Sequence, residues 1–326
     1  MGSILMERKI LVTGCSGLVG IEVCMTLAHN RNIHVIGVDI KRNKYLPNGF
    51  DNFTYYNLDL TDKKAVDSLF EQYPDLDGVI NCFGIKGSPI RAKEKPLDFL
   101  EPSIKGNINI IENCYKHDTF LVFLSSVGVY EPAEEFVEDT VWKTLPSPHD
   151  WFPSWSKRIP ELYLDAYKVQ HNWEGYCILR PANIFGVNDN FGEGSTVIAA
   201  TIKKVYDSNK GDEIIVWGDG KSTRDFVYSR VVSDICIKCL EDKRYLISNI
   251  GSGVDISIEE MVKTVIDVSE KDLKIVYDTS KPNGDRKRRM SVKNQKELRL
   301  YHHIPFKEAV CESYLTYKER QDEQTR

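Results

Sequence analysis

The sequence lacks the features that mark membrane proteins and nucleic-acid-binding proteins. Its 326 residues contain no apolar run long enough to span a bilayer and no signal-peptide pattern. The 48 acidic and 43 basic residues leave a formal net charge of −5, so no excess of positive charge attracts nucleic acid or an anionic membrane. We therefore expect neither nucleic acid nor a membrane as a partner, and we predict a cytoplasmic protein.

The cysteines lack the spacing of a disulfide framework or of a metal site. The eight cysteines are scattered along the chain, and several lie in apolar stretches, which is typical of reduced, buried thiols. Cys236 and Cys239 form a C-x-x-C pair, but no second pair completes a zinc site. The segment 234–240 has the pattern of a helix face that packs into a core. We expect no bound metal.

Repeats and low-complexity tracts are also absent, and strands and helices alternate along the chain instead. Short apolar runs predict buried strands at 8–13, 35–39, 53–57, 78–81, 120–125 and 176–180. Helices are predicted between them, among others at 62–72, 96–116 and 156–171. This alternation indicates an α/β fold with a doubly wound parallel sheet, a Rossmann domain. A capping box at 257–260 predicts one more helix, and the polar residues 317–326 are expected to fray.

A glycine-rich turn joins the first predicted strand to the helix that follows. Gly14, Gly17 and Gly20 have the spacing G-x-x-G-x-x-G. Glycine lets a pyrophosphate approach the backbone closely, and the amide groups at the start of a helix hold negative charge. Because the motif lies between a strand and a helix, it predicts a dinucleotide site.

The residue at the end of the second strand indicates which dinucleotide is bound. Asp39 is placed where a carboxylate accepts hydrogen bonds from both ribose hydroxyls of NAD and repels the extra phosphate of NADP. Lys41 and Arg42 follow closely and leave NADP as the alternative. We predict NAD as the cofactor.

Further motifs resemble those of one enzyme family over nearly the whole chain. The segment 125–130 (SSVGVY) resembles S-S-x-x-V-Y, and 180–186 (RPANIFG) is similar to R-P-x-N-V-Y-G. The segment 216–228 resembles W-G-x-G-x-x-x-R-D-F-x-Y, and 277–286 looks like the D-T-S-K-P-x-G…R tail of members of the GDP-fucose synthase type. By these motifs the chain is identified as a member of the extended short-chain dehydrogenases/reductases, in the branch of nucleotide-sugar epimerases and dehydratases.

The resemblance implies two lobes and a set of site residues. An NAD-binding Rossmann domain would comprise 1–182 and 226–250, and a nucleotide-sugar lobe 183–225 and 251–326. Ser126 would hydrogen-bond the sugar as the catalytic serine, and Arg224 would clamp the substrate diphosphate. The implied cofactor-binding residues are Gly14, Ser16, Gly17, Leu18, Gly20, Asp39, Asp59, Leu60, Cys82, Gly84, Ser125, Lys157, Pro181 and Asn183. The implied substrate-binding residues are Ser126, Asn183, Arg224, Tyr228 and Arg286.

At one position the chain departs from the chemistry of the family. The segment 153–161 resembles Y-G-W-x-K-R-x-x-E, with Lys157 at the lysine and Pro153 at the tyrosine. In the family that tyrosine exchanges a proton with the sugar hydroxyl while hydride moves, and proline has no ionisable group. Four side chains are candidates to replace it: His149, Asp150, Ser154 and Tyr130.

Two functions are compatible with this departure. The first is an NAD-dependent oxidoreductase or epimerase that transfers hydride at a ring carbon of a nucleotide-activated sugar, with Ser126, Lys157 and Tyr130 as candidate catalytic residues. The second is a regulatory or structural protein that binds NAD and a nucleotide sugar but has lost catalysis. The pair 127–128 is Val-Gly, where 4,6-dehydratases carry Asp-Glu, and this argues against dehydration. The resemblance also implies a role in polysaccharide biosynthesis and a homodimer through the helices at 96–116 and 156–171.

Overall fold

The computed structural model describes residues 8–85, 92, 94–281 and 286–325. In chain order, the strands are β1 (Arg8–Thr13), β2 (Ile33–Asp39), β3 (Phe53–Asn57), β4 (Leu76–Asn81), β5 (Phe120–Leu124), β6 (Glu135–Phe136), β7 (Tyr176–Pro181), β8 (Asn183–Phe185), β9 (Glu213–Trp217), β10 (Thr223–Arg224), β11 (Phe226–Tyr228), β12 (Leu246–Ile250), β13 (Ile256–Ser257), β14 (Lys274–Asp278) and β15 (Arg289–Met290). The helices are α1 (Leu18–Ala28), α2 (Lys63–Gln72), α3 (Leu97–Lys116), α4 (Trp151–His171), α5 (Val197–Asp207), α6 (Ser229–Asp242), α7 (Ile258–Ser269), α8 (Lys293–Glu297) and α9 (Phe306–Thr325).

Seven parallel strands form the central sheet in the order β12-β7-β5-β4-β1-β2-β3. All residues of β5 and β7 are buried, as expected for strands covered by helices on both faces. The predicted doubly wound parallel sheet is therefore confirmed. The strand order reverses between β1 and β4, and in such sheets ligands bind outside the carboxyl ends of the strands at the reversal.

Alternating side chains of the strands build two cores, one on each face of the sheet. Ile10 and Val12 of β1 pack with helices α1 and α6, whereas Leu11 packs with α2, α3 and α4 on the opposite face. The period of two along β1 produces this division, because successive side chains of a strand point to opposite faces. The result is a three-layer α/β/α arrangement.

The chain leaves the sheet after β7 and later returns to it. Helix α6 packs on α1, and β12 pairs with β7 at the edge of the sheet. Between and after these elements, short strand pairs (β8 with β11, β9 with β14, β10 with β13) and helices α5, α7 and α9 form a smaller lobe. No helix in the described ranges is long and apolar enough to cross a membrane.

Two predicted element bounds differ from the structure by more than two residues. Helix α4 begins at Trp151 and not at 156, because Pro153 lies in its first turn, where a missing N–H removes no intrahelical hydrogen bond. Helix α9 continues to Thr325, and its polar residues do not fray: Tyr317 is buried, and Arg320 lies over the ring of Tyr45, 3.5 Å from its centroid. A few anchoring contacts hold a helix that its composition alone does not predict.

Two other local predictions are confirmed. Cys236 and Cys239 lie on α6, and both are buried. The hydroxyl of Ser257 caps α7 by accepting a hydrogen bond from the Glu260 amide at 3.0 Å.

Candidate active site

The turn between β1 and α1 has the geometry of a phosphate cradle. Gly14 has a positive φ of 64°, and a Cβ on it would lie 2.9 Å from the backbone of Cys82. A Cβ on Gly20 would lie 2.2 Å from the Gly14 carbonyl oxygen, so only glycine fits at either position. Gly17 caps α1 without a side-chain hydrogen bond, and the first turn of the helix has no acidic residue. This end of α1 is therefore suited to an anion.

Asp39 at the end of β2 lies beside the glycine turn. Its carboxylate accepts hydrogen bonds from the amides of Ser16 at 3.1 Å and Ile40 at 2.8 Å. Burial raises the pKa of Asp39, and these amides act in the opposite direction. The guanidinium of Arg42 lies over the ring of Tyr55, 5.4 Å from its centroid. An acid thus occupies the place expected for a ribose-binding carboxylate.

Asp59 and Leu60, two of the predicted cofactor-binding residues, lie beyond β3. Asp59 is exposed and accepts hydrogen bonds from the amide and hydroxyl of Thr61. Leu60 is buried, and its Cβ lies 3.2 Å from the position that a Cβ on Gly106 would take.

A cleft of about 820 Å³ lies outside the carboxyl ends of the sheet strands, between the sheet and the smaller lobe. Ten of the predicted site residues line it: Gly17, Leu18, Gly20, Cys82, Gly84, Ser125, Ser126, Lys157, Pro181 and Asn183. On the opposite side, residues 194–198 at the start of α5 complete the wall. The cleft thus brings together residues that are distant in the sequence.

Lys157 is the best-defined cation of the cleft. Its Nζ donates to the carbonyl oxygens of Phe83 at 2.7 Å and Leu124 at 2.8 Å, at the ends of β4 and β5. Burial lowers the pKa of this amine to about 8. An ammonium fixed in this way can donate a hydrogen bond to a ligand hydroxyl while it stays anchored to the sheet.

Hydroxyl groups lie close to this lysine. The Ser126 Oγ accepts a hydrogen bond from the Gly128 amide at 3.1 Å. The hydroxyls of Ser125 and Ser154 are buried, and neither has a hydrogen-bond partner among the described residues. Buried hydroxyls without partners are costly, so these two are available for a bound ligand.

Pro153 lines the cleft one helical turn before Lys157. Proline has no ionisable group, so the position that the motif resemblance aligns with a tyrosine carries none. Asp150, the residue that precedes α4, also lines the cleft, and its carboxylate forms an ion pair with Arg288 at 2.8 Å. The side chain of His149 lies outside the described part of the chain.

Tyr130, predicted as a candidate catalytic residue, does not line the cleft. It is buried at 2% exposure, and its hydroxyl donates to Asn249 Oδ1 at 2.5 Å and accepts from Arg180 at 3.2 Å. Burial raises the pKa of Tyr130 well above its ordinary value. The Tyr130 hydroxyl is therefore occupied by partners in the protein interior and lies outside the cleft.

Three predicted substrate-binding residues also lie outside the main cleft. Arg224 is half-buried and donates to the Thr223 carbonyl oxygen at 2.7 Å. Tyr228 is buried beside a smaller cavity of about 280 Å³. Arg286 is exposed, and its carbonyl oxygen accepts a hydrogen bond from the Thr223 amide.

Two parts of the cleft are not among the predicted site residues. Arg288, two residues after Arg286, lines the cleft, and residues 194–198 form its far wall. The run of basic residues at 286–289 gave a signal, but it did not show which arginine faces inward. The Asp225 amide donates a hydrogen bond to the Arg288 carbonyl oxygen at 2.9 Å, and this backbone contact sets which arginine faces the cleft.

The sequence and the fold are similar to those of known proteins. The chain is 28% identical over 332 residues to the putative GDP-L-fucose synthase 2 of Arabidopsis thaliana, covering 98% of this chain and 94% of the relative. It is 31% identical over 258 residues to the putative UDP-glucose 4-epimerase of Methanocaldococcus jannaschii, covering 77% and 79% of the two chains. The structure of UDP-glucose 4-epimerase with UDP-glucose from Thermotoga maritima superposes with a TM-score of 0.84 at 22% identity, over 96% of this chain and 100% of that chain.

The model of the NAD dependent epimerase/dehydratase family matches residues 10–251. This range includes the glycine turn, Ser126, Lys157, Asn183 and the strand that returns to the sheet. The chain belongs to the NAD-dependent epimerase/dehydratase family of nucleotide-sugar enzymes.

Proposed function

We propose that this chain binds NAD in the cleft and transfers hydride at a ring carbon of a nucleotide-activated sugar, as an oxidoreductase or epimerase with a non-standard acid/base. One observation carries the proposal: a single cleft unites the glycine turn with Ser126, Lys157 and Asn183. These residues fit a nicotinamide dinucleotide, because the glycine turn admits no Cβ, and because the buried Ser125 hydroxyl, which has no partner among the described residues, lines the same cleft. The nicotinamide ring, when bound, supplies the hydride acceptor.

We infer NAD and not NADP from the surroundings of Asp39. The carboxylate lies beside the Ser16 amide, where a ribose would approach, and a phosphate ester there would meet a negative charge. Arg42 donates to Asn48 Oδ1 at 3.0 Å and also lies over Tyr55, so it already has partners on the protein. A 2′-phosphate would have to displace those contacts.

The substrate half of the cleft is suited to a diphosphate. Arg288 offers a guanidinium, and the N-terminal end of α5 has no acidic residue in its first turn. Ser126 and Asn183 also line the cleft, and their hydroxyl and amide groups can hydrogen-bond a sugar nucleotide. Arg224 and Arg286 remain proposed diphosphate contacts of a sugar nucleotide that extends beyond the cleft.

The presence of Pro153 in the cleft favours one second candidate, a protein that binds NAD and a nucleotide sugar without turning the sugar over. The same proline would then mark the loss of the family's proton transfer. Loss of a general acid/base typically costs about 10²–10⁴-fold in rate, so a weak residual rate separates the two candidates poorly.

We also propose that two copies associate through α3 and α4. These helices pack on each other, and α4 exposes an apolar stripe at Leu162, Ala166 and Val169. Leu162 is 53% and Val169 80% exposed in the single chain. A second copy would cover this stripe.

The experiment incubates the purified protein and NAD with a panel of GDP-, UDP-, dTDP- and CDP-sugars. Absorbance follows cofactor reduction, and NMR in D₂O follows the sugars. Reduction, epimerisation or deuterium uptake with one sugar supports the enzyme and identifies its substrate. A sugar nucleotide that binds tightly but stays unchanged with both NAD and NADH would rule out the catalytic proposal and leave the binding protein.

A further inference from the structure

Asp150 occupies an unusual position at the start of α4. It is the residue that precedes the helix, where aspartate ordinarily accepts hydrogen bonds from the second or third helical amide. Here its side chain makes no capping bond. The third helical residue is Pro153, which has no N–H to donate. Pro153 stands where the family has its tyrosine. Because it has no N–H, it also cannot donate the backbone hydrogen bond that would hold the Asp150 carboxylate at the helix end.

The Asp150 side chain is directed to the cleft instead. Around Gly128, the Ser154 Oγ lies 3.0 Å, the Ser126 Oγ 3.6 Å and the Asp150 Cβ 4.0 Å from the point that a glycine Cβ would occupy. All three side chains line the cleft together with Lys157. Ser154 is 1% exposed, and its hydroxyl has no partner among the described residues. An acid and two hydroxyls therefore meet where the family's tyrosine would act.

We propose that Asp150 takes the proton of the sugar hydroxyl in this chain, in place of the tyrosine that Pro153 removes. The inference rests on the proposed hydride-transfer function. Asp150 is the carboxylate that lines the cleft among the residues the structure describes. A carboxylate within reach of the hydroxyl can serve as a general base.

The step balances as an ordinary alcohol oxidation. With NAD bound, the C–H bond of the sugar carbon would break and its hydride would reduce the nicotinamide. The O–H bond breaks and its proton goes to the Asp150 carboxylate, which becomes a neutral acid. The carbon–oxygen single bond becomes a carbonyl, and the reverse step returns both the hydride and the proton. Ser126 and Ser154 hold the oxygen by hydrogen bonds.

The ion pair with Arg288 would keep Asp150 from acting as a base before the substrate binds. The guanidinium of Arg288 pairs with Asp150 at 2.8 Å, and a carboxylate oxygen held in this ion pair is less available to a sugar hydroxyl. A nucleotide sugar brings a diphosphate, to which a guanidinium binds with two parallel hydrogen bonds. When Arg288 turns to the diphosphate, the carboxylate is released at the moment when the sugar hydroxyl is in place.

Four variants test the proposal, each in the full chain with the sugar identified from the panel. Asp150→Asn removes the base, and Asp150→Glu keeps it. Arg288→Met removes the ion pair but leaves the base. Asp165→Asn is the matched control, because Asp165 is exposed on the same helix. For each variant we would measure kcat and KM, the dissociation constants of NAD, GDP and UDP, and the melting temperature.

We expect kcat to fall about 100-fold or more in Asp150→Asn, with NAD affinity unchanged and nucleoside diphosphate affinity increased several-fold. Asp150→Glu should keep a measurable part of the rate. Arg288→Met should raise KM and weaken GDP or UDP binding while kcat stays within about fivefold. If the ion pair is purely structural, Asp150→Asn and Arg288→Met should instead lower both kcat and the melting temperature to a similar extent.

Other outcomes overturn the inference. If wild type turns over a sugar and Asp150→Asn does so within about threefold, the Asp150 proposal is wrong and the proposed function stands. If wild type turns over none of the sugars, both fail together. If Asp150→Asn does not fold, Asp150→Ser takes its place. Serine puts no amide NH₂ group, which is a donor, opposite the donors of Arg288. An unchanged kcat in that variant also rejects the base.

Discussion

At the residue scale, two side chains give predictions that do not depend on which sugar is bound. The first is Asp39. Replacing it with alanine removes an acceptor for ribose hydroxyls and the charge that would repel a phosphate. Because hydrogen bonds to a charged group contribute about 1.5–3 kcal/mol, NAD should bind about 10- to 100-fold more weakly. The affinity for NADP should fall less than the affinity for NAD, or rise. Titration calorimetry checks this, with Asp51→Ala, an exposed acid near the same strand, as control. An unchanged ratio of the two affinities contradicts the assignment.

The second is Lys157, whose burial lowers its pKa to about 8 from an ordinary 10.5. Below pH 8 the amine is charged in both the folded and the unfolded chain. Between pH 8 and 10.5 the folded chain has lost this proton and the unfolded chain retains it, so the free energy of unfolding rises with pH by up to about 1.4 kcal/mol per unit. Urea unfolding at pH 7, 8 and 9 should show this rise in wild type relative to Lys157→Met. The comparison cancels the other titrating groups, and parallel curves would contradict the lowered pKa.

At the scale of elements, helix α4 is tied to the sheet by a buried ion pair. Glu161 and Arg180 of β7 are each 1% exposed, with their side chains 2.7 Å apart. Breaking a buried pair leaves an uncompensated charge, so Glu161→Ala should lower the free energy of unfolding by about 3–5 kcal/mol. The surface pair Lys168–Glu174 near the end of the same helix is the control, and Glu174→Ala should cost less than about 1 kcal/mol. Urea unfolding measures both, and equal effects would contradict this account.

The elements also show what the sequence could and could not predict. The strands were predictable, because burial on both faces leaves continuous apolar runs such as 120–124. The glycine turn, Asp39 and Lys157 were also predictable, because each is identified by its spacing in the local sequence. The burial of Tyr130 could not be predicted, because its hydroxyl bonds to Asn249 Oδ1, a contact across 119 residues. Arg288 could not be distinguished from Arg286, since the pairing of β15 with β6 and the bond to Asp225 set which arginine faces the cleft.

At the scale of the whole molecule, the proposed dimer gives the last prediction. The exposed stripe of Leu162, Ala166 and Val169 follows the helical period, so that all three face the same side of α4. Wild type should then show about twice the 37.4 kDa mass of one chain in light scattering after gel filtration. Val169→Asp places a charge on the most exposed apolar residue of the stripe and should shift the mass toward one chain.

The matched control is Ile215→Asp, since Ile215 is 52% exposed on β9, away from α4. It should leave the mass unchanged. Because the cleft is formed within one chain, the Val169→Asp monomer should still bind NAD with an affinity close to that of wild type. A dimer that survives Val169→Asp and Leu162→Asp but dissociates with Ile215→Asp would place the interface on the β9–β14 face. A wild type that remains a single chain at all concentrations would remove the dimer from the proposal without affecting the site.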